Sequence, residues 1–136
     1  MSAKNVMSSV IALIMALALA ACGGDSNESE EHEAASPAVA KKEAAETREA
    51  LTAALATYKS GDKQAAEDEV AEAYLQHFEE VEGALEAKDA ELNEKLEEAI
   101  NGELRTAMKE GKPATEVESQ VNAIVADLQK AEAGLQ

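Results

Sequence analysis

Residues 62–87, DKQAAEDEVAEAYLQHFEEVEGALEA, decide the fold class. Ala66, Val70, Tyr74, Val81 and Leu85 recur at the three- and four-residue spacing of one helical face, with charged residues on the other. The stretch lacks glycine or proline until Gly83, and Asp62 stands where an N-cap belongs. An amphipathic helix of about this length is the expectation.

Working outward gives three more segments of the same kind. Residues 37–59 place Ala44, Thr47, Leu51, Leu55 and Tyr58 on one stripe, ended by Ser60-Gly61-Asp62. Residues 89–110 align Leu92, Leu96, Ile100, Leu104 and Met108. That spacing passes unbroken through Asn101-Gly102, so one helix is expected there, kinked or not, with the glycine costing about 1 kcal/mol relative to alanine. Gly111 and Pro113 punctuate the chain, and Thr115 with Glu118 has the capping-box spacing. A last helix to about 132 then aligns Val117, Val121, Ile124, Val125 and Leu128. Four helices joined by short loops predict an all-α fold, an antiparallel four-helix bundle of two helical hairpins over residues 37–136. Its core is rich in alanine and has three rings to use, Tyr58, Tyr74 and Phe78.

The other end of the chain has a different character. After Lys4, the apolar run VMSSVIALIMALALAA at 6–21 is 16 residues long, shorter than the roughly 20 that span a bilayer as a helix. It reads as a secretory signal peptide over 1–21. Leu19-Ala20-Ala21-Cys22 resembles the lipobox of bacterial lipoproteins. The resemblance implies cleavage before Cys22 and acyl chains, palmitate among them, on the new N-terminus. Several chains at about 0.8 kcal/mol per buried CH₂ make a stable membrane anchor. Cys22 is the one cysteine, so no intramolecular disulfide is available. Gly23 follows it where an aspartate would resemble an inner-membrane retention signal, which favours the outer membrane, periplasmic face, as the site of a bacterial envelope lipoprotein. Residues 22–36, rich in acids, serine and glycine, read as a flexible tether with an r.m.s. reach of about 20 Å. His32, between Glu31 and Glu33, belongs to that solvated tether.

Charge narrows the partners. With 28 acidic against 12 basic residues the chain carries −16, and loss of the signal peptide removes one lysine and no acid. Such a surface repels nucleic acid and anionic lipid and attracts cations, which leaves metal ions or a basic protein.

Chemistry is sought where polar residues interrupt the stripes. At 100° per residue His77 falls near Val70 and Val81, and Glu103 falls between Leu96, Ile100 and Ala107. Both are expected to point inward about one helical turn apart in height, resembling half of a bundle metal site. Otherwise His77 is a partly buried histidine hydrogen-bonded to a carboxylate or to Tyr58. On the outer face Glu79 and Glu82 stand three apart and Glu82 and Glu86 four apart, so their carboxylates can converge on one hard cation, iron, manganese, calcium or magnesium, or remain solvated charge. His77, Glu79, Glu82 and Glu103 are therefore the candidate metal ligands.

Read together, ALATYKSGDKQAAEDEVAEAYLQHFEEVEGAL and the residues after it resemble the extracytoplasmic helical domain of bacterial high-affinity iron permeases. Tyr58, Gly61 and Asp62 carry the likeness, followed by Ala73-Tyr74-Leu75, Phe78-Glu79, Val81-Glu82, Leu104-Arg105 and Gly111. The resemblance implies an accessory module of iron uptake in which Glu79 and Glu82 are ligands and a permease is the partner. His77 departs from the pattern, and the permease's membrane-embedded Arg-Glu-x-x-Glu motifs are not in this chain. A rival reading is a lipid-anchored adaptor without a metal, since residues 56–74 also look like one tetratricopeptide-type hairpin, of which that architecture needs about three. An enzyme is not expected: no nucleophile and base occur together, and Glu-x-x-His occurs in no second helix.

Overall fold

In the computed structural model, which describes residues 35–136, helix formation follows from local capping. Ser36 accepts the Val39 amide at 3.4 Å on its Oγ, and Pro37 occupies the first turn, where its missing N–H costs nothing. The helix so started, α1, runs Pro37–Ser60 and stops at Gly61, which takes φ 105° and donates to the Tyr58 carbonyl. Asp62 then caps the next helix by accepting the Ala65 amide at 3.1 Å. The signal peptide, Cys22 and all but the last two residues of the tether lie outside the described residues.

From Lys63 to Lys109 the chain is helical except at Asp89. This span comprises α2 (Lys63–Ala73), a π turn (Tyr74–Phe78), α3 (Glu79–Glu97), a second π turn (Glu98–Leu104) and α4 (Arg105–Lys109). A straight helix would hold Glu67 and Arg105, 38 residues apart, about 57 Å from one another. Arg105 Nη2 instead lies 2.7 Å from Glu67 Oε1, so the span doubles back. It does so at Asp89, whose φ −153° and ψ 81° break the helix while its Oδ1 accepts the Leu92 amide at 3.0 Å. The turn falls where the helices expected at 62–87 and 89–110 meet, and Asp89 both reverses the chain and caps the returning half of α3. The described residues form three helical spans, the middle one reversed at Asp89, and no strand.

The last helix, α5, runs Ala114–Gly134. It does not use the expected capping box. Pro113 holds the N-cap position, its carbonyl accepts the Glu116 and Val117 amides at 2.9 and 3.2 Å, and Glu118 is engaged by Lys59 at 2.6 Å. Arg48–Glu132 at 3.1 Å joins Lys59–Glu118 in tying α1 to α5 in antiparallel order, and Lys95–Asp127 at 2.7 Å ties α3 to α5.

The expected stripes supply the core: Leu51, Val70, Val81, Leu85, Leu96, Ile100, Leu104, Met108, Val117, Val121 and Leu128 are all buried. Leu55, Tyr58, Tyr74, Phe78, Ile124, Leu135 and seven alanines complete it, and alanine's small side chain lets the helix axes approach closely. Both π turns fall where apolar residues repeat every four, at 66-70-74-78 and 92-96-100-104-108. Four residues overrun an α turn by about 40° at each step. A wider turn absorbs the drift and keeps the stripe facing the core. No helix among the described residues is long and apolar enough to cross a membrane.

Candidate functional site

The turn at Ser60-Gly61-Asp62 sets α1 and α2 antiparallel, and the position opposite His77 follows from counting. His77 lies 16 residues after Gly61, and Ala45 lies 16 before it. Glu43 and Glu46 flank that position on α1. The His77 Nδ1 accordingly sits 2.8 Å from Glu43 Oε2 and 3.4 Å from Glu46 Oε2. One ligand atom from each of the three lies within 4.8 Å of the other two, the spread that a single metal ion bridges.

The set is half-buried: the side chain of Glu43 is 15% exposed, that of His77 28% and that of Glu46 38%. The hydrogen bond to His77 is the main cause that holds the Glu43 carboxyl below the usual range, against the opposing effect of burial. Lys42, 63% exposed, places its ammonium 2.7 Å from Glu46 and 3.1 Å from Glu43. Those two hydrogen bonds, Glu46 first, raise its pKa. A flexible monovalent cation therefore occupies the side of the carboxylate pair turned toward water. Two carboxylates and an imidazole form a mixed oxygen and nitrogen set that suits Zn²⁺, Fe²⁺ or Mn²⁺.

Of the ligands expected from sequence, only His77 belongs to this set. The helical wheel turned it to the core, but the π turn at Tyr74–Phe78 gives the inward place to Phe78 and leaves His77 at the seam with α1. Its partner is not Glu103. The second π turn puts Leu104 inward, and Glu103 is exposed, lining grooves with Gln120. Nor is the partner Tyr58, whose hydroxyl donates to the Lys112 carbonyl at 2.6 Å. Glu79 is exposed. Glu82 accepts the Tyr74 hydroxyl at 2.6 Å. Cys22 and His32 lie outside the described residues.

Glu43 and Glu46 stand three apart, as Glu79 and Glu82 do, but nothing along their own helix singles them out. Pairing residues across the Gly61 turn would have found them. No family model, curated protein or solved structure matches this chain. The resemblance to the iron-permease domain therefore stands on the quoted words alone.

Proposed function

We propose that this protein is a divalent-metal-binding helical module of the bacterial envelope, anchored by lipid on Cys22 and serving the handling of iron or a metal of similar ligand preference. In this reading the doubled-back middle span acts as two rods, which with α1 and α5 make an antiparallel four-helix bundle. The observation that supports metal binding is the convergence of Glu43, Glu46 and His77 from two helices within 4.8 Å. A dication matches the charge of the two carboxylates. On binding it takes the place of the proton shared by His77 Nδ1 and Glu43, and it displaces the Lys42 ammonium into water. The iron permease that the sequence resemblance implies remains the partner of this reading.

The test is a thermal melt of the full chain with Fe²⁺, Mn²⁺, Zn²⁺ or Ca²⁺, repeated on Glu43→Ala with Glu46→Ala, on His77→Ala and on Lys42→Met. A ligand at 100 times its dissociation constant adds about 2.7 kcal/mol. The rise should be selective for Fe²⁺, Mn²⁺ or Zn²⁺ over Ca²⁺, vanish in the glutamate and histidine variants, and be larger in Lys42→Met at subsaturating metal. A flat response to every metal overturns the reading.

A further inference from the structure

Given the metal site proposed above, on which this step rests, we infer that the metal is taken together with a small carboxylate or carbonate anion. One oxygen of the anion completes the coordination of the metal, and another accepts a hydrogen bond from Lys42.

Among the described residues the group brings three ligand atoms together, one each from Glu43, Glu46 and His77. Zn²⁺ takes about four ligands and Mn²⁺ about six, so at least one position falls to a molecule from outside the chain. Solvent reaches the site, since the side chains of His77 and Glu46 are 28% and 38% exposed. Lys42 favours an anion over water there.

The two carboxylates divide their oxygens between two partners. The Oε2 atoms face the imidazole, 2.8 Å away for Glu43 and 3.4 Å for Glu46, and the Oε1 atoms face the Lys42 ammonium, 3.1 and 2.7 Å away. A dication neutralises both carboxylates and takes the ammonium's two acceptors from it. Lys42 nevertheless stays beside the site, because it precedes Glu43 and stands four residues, about one turn, before Glu46 on α1. Its positive charge is then the one left unmatched. A carboxylate answers both needs, with one oxygen for the metal and a second, on the same carbon, to accept from Nζ. Chloride has the charge but no second atom with which to bridge. The chain at −16 repels a glutamate of a second copy and repels a free anion until the metal is bound, so the anion is small and follows the metal.

Titration of the full chain with Mn²⁺, with free Mn²⁺ read from its electron paramagnetic resonance signal, tests this order of binding. It is run in sodium acetate and in sodium perchlorate of the same ionic strength, perchlorate being an anion that coordinates metals poorly. Acetate should tighten Mn²⁺ binding by about fivefold in the wild type, the size of one exposed charge-assisted contact. Lys42→Met should bind Mn²⁺ in perchlorate at least as tightly as the wild type and gain nothing from acetate, whereas Lys42→Arg, which keeps the charge and the donors, should keep the gain. Equal dissociation constants in the two salts, or the same gain in Lys42→Met, overturn the inference and leave the metal site standing. Absence of Mn²⁺ binding in either salt overturns both. Mn²⁺-dependent dimers in sedimentation would also overturn it, by making a second copy the source of the carboxylate.

Discussion

At the scale of single residues, the Tyr74–Glu82 pair shows how the acidic surface costs stability. Burial, followed by the charges of Glu97, Glu79 and Glu86, raises the Glu82 carboxyl above its ordinary range, and the Tyr74 hydroxyl donating at 2.6 Å opposes them without winning. A carboxyl whose pKa is raised on folding stabilises the protein fully below its unfolded value, and that contribution is lost as pH rises through the folded value. Glu82→Gln keeps an acceptor for Tyr74 and removes the charge. Its melting temperature should exceed that of the wild type by a few degrees at pH 7, with the gap closing toward pH 4; a lower value at pH 7 would mean that the hydrogen bond to the carboxylate outweighs burial and repulsion. The same residue explains why the site was only partly legible in the sequence. Spacing along one helix brings out Glu79 and Glu82, but a helix face does not reveal which carboxylate a nearby phenol will claim. His77 stood out as a polar break in an apolar stripe, whereas its partners Glu43 and Glu46 come from another helix and needed the hairpin register as well.

At the scale of elements, the boundaries come from particular side chains, and most were readable. Asp62, Gly61, Gly111 and Pro113 end or begin helices where their chemistry says they should, with φ 105° and 69° at the two glycines. The boundary at Asp89 was readable too, between the segments 62–87 and 89–110; what could not be read was the presence of π turns, because a stripe repeating every four residues looks unbroken on paper. The turns are the backbone's answer to that repeat. Gly102 lies in the second of them without a left-handed φ, and a Cβ added there would meet Glu98 Cγ at 3.8 Å, an ordinary contact. Gly102→Ala should therefore stabilise the protein by about 0.5–1 kcal/mol through reduced backbone freedom in the unfolded chain. Asp89→Ala, which removes the cap on Leu92, should cost about 1 kcal/mol. Urea melts of the two variants measure both; a destabilised Gly102→Ala would show that the π turn needs the glycine's freedom.

At the scale of the whole molecule, two electrostatic effects oppose each other, and their balance can be measured. Cross-helix ion pairs hold the described spans together: Glu67 with Arg105, Asp127 with Lys95, and Glu132 with Arg48. Against them stands the self-repulsion of a chain at −16, whose acids outnumber its bases 28 to 12. The pairs are local, with separations of 2.7–3.1 Å, and Glu67 and Asp127 are each 6% exposed, so mobile salt reaches them poorly. The repulsion acts between exposed charges over longer distances, where screening is effective once the Debye length falls from about 30 Å at 0.01 M to about 8 Å at 0.15 M. Sodium chloride should therefore weaken the repulsion more than the pairs, and the melting temperature should rise across that range. Circular dichroism melts in metal-free buffer give the sign directly. A fall with salt would make the ion pairs the larger effect and predict that Arg105→Met destabilises more at low salt than at high; a rise would also explain a general, weak stabilisation by any cation, and only an increment beyond matched ionic strength would then report on Glu43, Glu46 and His77.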